Sequence, residues 1–132
     1  MKIVSITCAA ILGFTAISIF STSCSNNKKD VLFGCDSVNV KFSTTIKPIL
    51  ANNCDRCHST ATGATFGNGI FLDSYTEITA FVDITSGSDG GILLNNIKHS
   101  AGANPMPKGS AKISDCEIAK ISKWIKDGAL NN

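Results

Sequence analysis

From residue 42 onward the apolar positions recur at helical spacing. Phe42, Ile46, Ile49 and Leu50 fall on one helical face, with polar residues between them. Ser43 or Thr44 is placed to cap the start, and Pro48 is tolerable only in a first turn. The pattern predicts a helix over about 44–52. Residues 60–68 are rich in Thr, Gly and Ala and read as a loop. Ser74 and Glu77 form a capping-box pair that opens a short helix carrying Tyr75, Ile78, Phe81 and Val82. After a Gly-rich break at 86–91, Ile92, Leu93, Leu94 and Ile97 give a second short helix over 92–99. Both runs are brief enough to read as short strands as well. Ser114 and Glu117 form another capping box. Behind it Ile118, Ile121, Ile125 and Ala129 make one narrow stripe, Lys120, Lys123 and Lys126 face elsewhere, Trp124 flanks the stripe as a core residue, and Gly128 marks the end. Read as helices throughout, these elements would make an all-α chain.

The N-terminus has a different pattern. Lys2 precedes an apolar run over 3–20, followed by small residues, which reads as an export signal. The run is 18 residues long and diluted by Ser5, Thr7, Thr15 and Ser18. A retained membrane helix is the competing reading, near the lower length limit for a span. Ser21, Thr22 and Ser23 lead into Cys24. This resembles the lipobox of bacterial lipoproteins, in which the cysteine is lipidated and becomes the new N-terminus. Ser21 stands where that motif usually has Leu. Ordinary signal cleavage would instead leave Cys24 as a spare thiol, a liability in an oxidising compartment. The organisation read from these features is a signal peptide over 1–23, a polar tether over 24–34 and one domain over 35–132.

Length and charge narrow the function. A chain of 132 residues is too short for a (β/α)8 barrel, a doubly wound dinucleotide fold or a repeat array. With 12 basic and 10 acidic residues the net charge is +2, too balanced for a nucleic-acid binder.

Cysteines carry the candidate chemistry. Cys54-Asp55-Arg56-Cys57-His58 is C-x-x-C-H, the attachment signature of c-type haem. Two thiols two residues apart reach one ring edge from a single helical turn, and the histidine that follows supplies the proximal iron ligand. Three other readings compete. A redox dithiol also uses C-x-x-C, but normally after a strand. A zinc site usually needs a second spaced ligand pair, and Cys35 and Cys116 are isolated singles. A Cys54–Cys57 disulfide is the plainest option.

An electron-carrying haem wants a second strong ligand, and methionine is a usual choice. Met1 leaves with the signal, so Met106 is the remaining thioether. Pro105 and Pro107 flank it, fix their own φ and remove two backbone donors, and Gly109 permits a turn afterwards. Core filling is the ordinary role of a lone methionine. His99, seven residues upstream, is the competing ligand.

With these motifs the sequence resembles the small monohaem cytochromes c of the bacterial periplasm. The resemblance rests on Cys54-Asp55-Arg56-Cys57-His58, on Met106-Pro107-x-Gly109 and on the last helix ending Trp124-Ile125-x-x-Gly128-Ala129, and spans about 42–129. It implies an all-helical fold wrapped around one covalent haem c, His58 and Met106 as iron ligands, and a terminal helix packed on the first. It also implies single-electron transfer rather than enzymatic turnover. Periplasmic redox proteins would be donor and acceptor, and the lipid anchor would tether the domain to the membrane. The chain would act as a free carrier or as an accessory haem subunit. Lys41, Lys47 and Lys108 are candidates to steer acidic partners, although each alone reads as an ordinary solvated lysine. The segment 35–40, with its extra cysteine, departs from the family pattern. Cys35 and Cys116 are then left as a pair, expected to bridge after export. The alternative function is a non-haem lipoprotein binding module whose C-x-x-C holds a disulfide or zinc.

Overall fold

The computed structural model describes residues 34–82 and 90–132. The export signal, Cys24, nearly all of the tether and most of the Gly-rich break lie outside the described residues. All regular structure among the described residues is helical: α1 (Phe42–Ile46), α2 (Lys47–Asn53), α3 (Asp55–His58), α4 (Gly63–Phe66), α5 (Tyr75–Thr79), α6 (Gly91–Lys98) and α7 (Asp115–Lys126). None of these helices is long and apolar enough to cross a membrane.

The first helix is longer than the periodicity predicts. α1 is wound as a π-helix and runs straight into α2. Ile46 N–H donates to Lys41 O and Lys47 N–H to Phe42 O, each spanning five residues. This wide turn lies just before Pro48, whose ring would collide with the carbonyl four residues back in a regular helix. Neither Ser43 nor Thr44 caps the start. Asn132 does so from the other end of the domain: its Oδ1 accepts from Phe42 N–H at 2.8 Å and its carbonyl from Ser43 N–H at 2.9 Å. Two orphan donors of the first turn are satisfied there by a residue 90 positions away.

α7 follows the sequence closely. Ser114 and Glu117 complete a reciprocal capping box. The stripe Ile118, Ile121, Ile125 and Ala129 is buried, with Trp124 1% exposed at its flank. Trp124 Nε1 donates to Leu130 O at 2.9 Å, so the indole brings no unpaired donor into the core. Its ring meets that of Phe42 at 5.7 Å, and Phe42 meets Tyr75 edge-on at 5.2 Å. Tyr75 donates its hydroxyl to Ala129 O. These contacts pack α7 against α1 and bring α5 to the same place. Ile46, Leu50, Ile78, Leu94 and Ile121 fill the centre.

Cys35 and Cys116 form a disulfide, Cα to Cα 5.4 Å. It ties the segment before α1 to the first turn of α7. One expectation is corrected. Residues 60–68, read as loop, contain the helical turn α4, closed by Phe66 N–H on Thr62 O and Gly67 N–H on Gly63 O. Its glycines conceal the turn in the sequence. Gly63 is there because the backbone is crowded: a Cβ on it would lie 2.7 Å from the Phe71 ring.

Candidate haem-attachment site

α3 is a single turn, and it carries Cys54 at its N-cap, then Cys57 and His58. Cys57 N–H and His58 N–H both donate to Cys54 O, at 3.0 and 2.8 Å. The three predicted residues are therefore held together by one backbone carbonyl. Both thiols are free and half-buried. Burial, helped by the charges of Asp55 and Glu117, pushes the Cys54 thiol up to about 12. A redox dithiol needs the opposite, a thiolate stabilised near neutral pH.

His58 is gripped from one side by the segment that follows α4. Its Nδ1 donates to Ile70 O at 3.1 Å, and its own carbonyl accepts Leu72 N–H at 2.6 Å. A carbonyl oxygen only accepts, so Nδ1 carries the proton and Nε2 keeps its lone pair. Thr60 reinforces the closure by donating N–H and Oγ1 to Asp73 Oδ2, both at 2.6 Å. Those bonds hold the Asp73 carboxyl below its ordinary range. Nearby Asp55 is raised, by burial first and then by the charge of Asp73. Burial works against ionised Glu117 too. There the hydrogen bonds from Ser114 and Asn53 prevail and lower it.

Gly67 is the residue behind the ring that the sequence did not single out. A Cβ there would lie 2.5 Å from Cys57 O, 2.8 Å from His58 Nδ1 and 2.9 Å from Ile70 O. Two of these are backbone atoms and the third is the anchored ring nitrogen, so no flexible side chain can yield. Gly67→Ala is expected to cost about 1–3 kcal/mol or more through overpacking. An unchanged urea midpoint for that variant would show that the close approach is not real.

Met106 stands in a second assembly. It is half-buried, its N–H donates to Asn96 O at 3.1 Å, and its carbonyl accepts from His99 Nε2 at 3.0 Å. Asn96 Oδ1 also takes Asn104 N–H at 3.0 Å. His99, the competing iron ligand in the sequence, thus has its outer ring nitrogen engaged with the Met106 backbone. Lys41, Lys47 and Lys108 are all exposed. The charge of Lys47 opposes the rise of Asp55 and adds to the lowering of Asp73, and Lys108 donates to Asn104 Oδ1.

The two assemblies meet at a cleft of about 560 Å³. Ile70, which holds His58, is in its wall, with Phe81 and Ile92. So is Asn96, which holds Met106, with Asn95 and residues 100–104. Cys54, Cys57, His58 and Met106 are themselves not in the wall. The volume lies within the ~300–1,000 Å³ usual for cofactor-sized ligands, and the lining mixes apolar and amide groups in the usual way.

No family model, curated protein or solved structure matches the chain.

The donor set fits a c-type haem. Two unbridged thiols and a histidine share one turn, and the imidazole has its inner nitrogen tied and its outer nitrogen free. No three His, Cys, Asp or Glu side chains converge as a metal site among the described residues. Sequence reasoning had no access to Ile70, because a backbone carbonyl leaves no mark on residue type.

Proposed function

We propose that this domain carries single electrons on one covalent haem c, held by Cys54 and Cys57 through thioethers and by His58 and Met106 at the iron. One observation carries the reading. The backbone partners of His58 and of Met106, Ile70 and Asn96, border a single cleft. When bound, the haem supplies a one-electron iron couple. The chain supplies the rest. Ile70 O fixes the tautomer and ring angle of His58 and raises the basicity of Nε2. Asn96 and His99 fix the Met106 backbone. Phe81, Ile92 and Ile70 line part of the cleft with apolar surface. With His58 and Met106 both holding the iron, no position would be left for oxygen or peroxide, so the reading is a carrier, or a haem subunit docked on a larger redox enzyme. An anchor at Cys24 would keep it at the membrane.

The test is the visible spectrum of protein made with the c-type maturation machinery. The expected result is sharp reduced bands that survive acid–acetone extraction, with a weak red-edge sulfur-to-iron band in the ferric form. Met106→Ala should abolish that band and lower the potential while keeping the haem attached. Protein without haem overturns the reading. Covalent haem whose spectrum ignores Met106→Ala overturns the assignment of the second ligand.

A further inference from the structure

We infer that His99 is the positioning residue of the Met106 loop, fixing the direction in which the thioether leaves the backbone; this rests on the haem reading above. α6 ends at Lys98, and His99 caps it in the left-handed region, φ 55° and ψ 43°. Helices often end this way, and here the residue that does so is a histidine whose ring makes one contact. The contact is Nε2 to Met106 O at 3.0 Å. Because the carbonyl can only accept, Nε2 bears the proton.

Pro105 and Pro107 explain why one histidine matters. Neither has an N–H, so Met106 owns the only backbone donor over 105–107. That donor goes to Asn96 O, at the last turn of α6. The peptide plane before Met106 is fixed by Asn96, and the plane after it by His99. With both planes fixed, the Cα–Cβ direction of Met106 is fixed. Removing the ring frees the second plane and leaves the first in place. His99 would therefore act through Met106 and not by holding the iron itself.

Two variants separate this role from simple folding. Glycine takes the left-handed region without strain, so His99→Gly removes the ring and leaves the helix end intact. Glutamine restores a side-chain N–H donor of comparable reach, so His99→Gln is the rescue. Both are made as full holoprotein with ¹³C-methyl methionine. Met1 is the only other methionine, and Met106→Ala assigns the signal. In ferrous wild type the Met106 methyl is expected as one line moved far upfield by the haem ring current. His99→Gly should keep covalent haem but lose the sulfur-to-iron band and return the methyl to its ordinary position. His99→Gln should recover band and shift. A His99→Gly protein with wild-type band and methyl shift overturns the inference and leaves the haem reading standing. The same holds if His99→Gln behaves as His99→Gly does. Wild type with haem but an unshifted methyl, or with no haem, overturns the ligand reading and this inference together.

Discussion

Protein carrying Cys54→Ala and Cys57→Ala is expected to lose all covalent haem absorbance and to accumulate little folded protein. The first half follows from the attachment chemistry, since no other free thiol is present among the described residues. The second half follows from helix lengths. α3 and α4 have four residues each, α5 has five and α6 eight. Helices this short do not persist alone, because each pays nucleation for very few hydrogen bonds. Only packing holds them, and α6 packs beside a cleft of about 560 Å³. A domain of this size buries a modest share of its surface and has little stability to spare. On the proposed reading, haem in the cleft would complete the support of α6 and of the loop behind it. Circular dichroism and a thermal melt of the double variant check this. A wild-type helical spectrum with a cooperative melt would show that the chain folds without its cofactor.

Removing the bridge is the second large effect. Cys35 and Cys116 are 81 residues apart, and closing a loop of that length restricts the unfolded chain by about 4.5 kcal/mol in the chain-entropy treatment. Cys35→Ser with Cys116→Ser is expected to lower the unfolding free energy by about 2–5 kcal/mol. The haem spectrum of whatever remains folded should be unchanged, because neither sulfur belongs to the attachment turn. Urea denaturation of oxidised, reduced and doubly substituted protein measures this. Equal midpoints for all three would show that the bridge is not formed. A bridge that altered the haem bands would couple the two ends of the domain in a way the contacts give no reason to expect.

The parts legible in the sequence are those whose cause is local. The α7 capping box, its isoleucine stripe and the buried Trp124 were readable because each depends on neighbours within a few positions. That Cys54, Cys57 and His58 share one turn was readable because they lie within five positions. The disulfide was readable by elimination. What escaped is nonlocal or has no residue signature. The cap on α1 comes from Asn132, the anchor of His58 is the carbonyl of Ile70, and the need for glycine at 67 arises from three atoms contributed by two other segments. α4 was missed because Gly63 answers crowding by Phe71 and Ile70, not a turn requirement. His99 stood out for its histidine chemistry, whereas the bond of its Nε2 to the Met106 carbonyl has no mark in the sequence.

The cap that Asn132 places on Phe42 and Ser43 also sets an order of assembly. The opening turn of the domain gains its partners only after the chain has been delivered through residue 132. The staple at Cys116 likewise waits for the start of α7. The hydrogen-bond partners of the turn from Cys54 to His58 lie no further along the chain than Leu72. A chain emerging on the far side of a membrane would therefore present its two thiols and its imidazole while the ends are still apart. Maturation enzymes would meet an open substrate, and closure of the ends would then lock in a cofactor already attached.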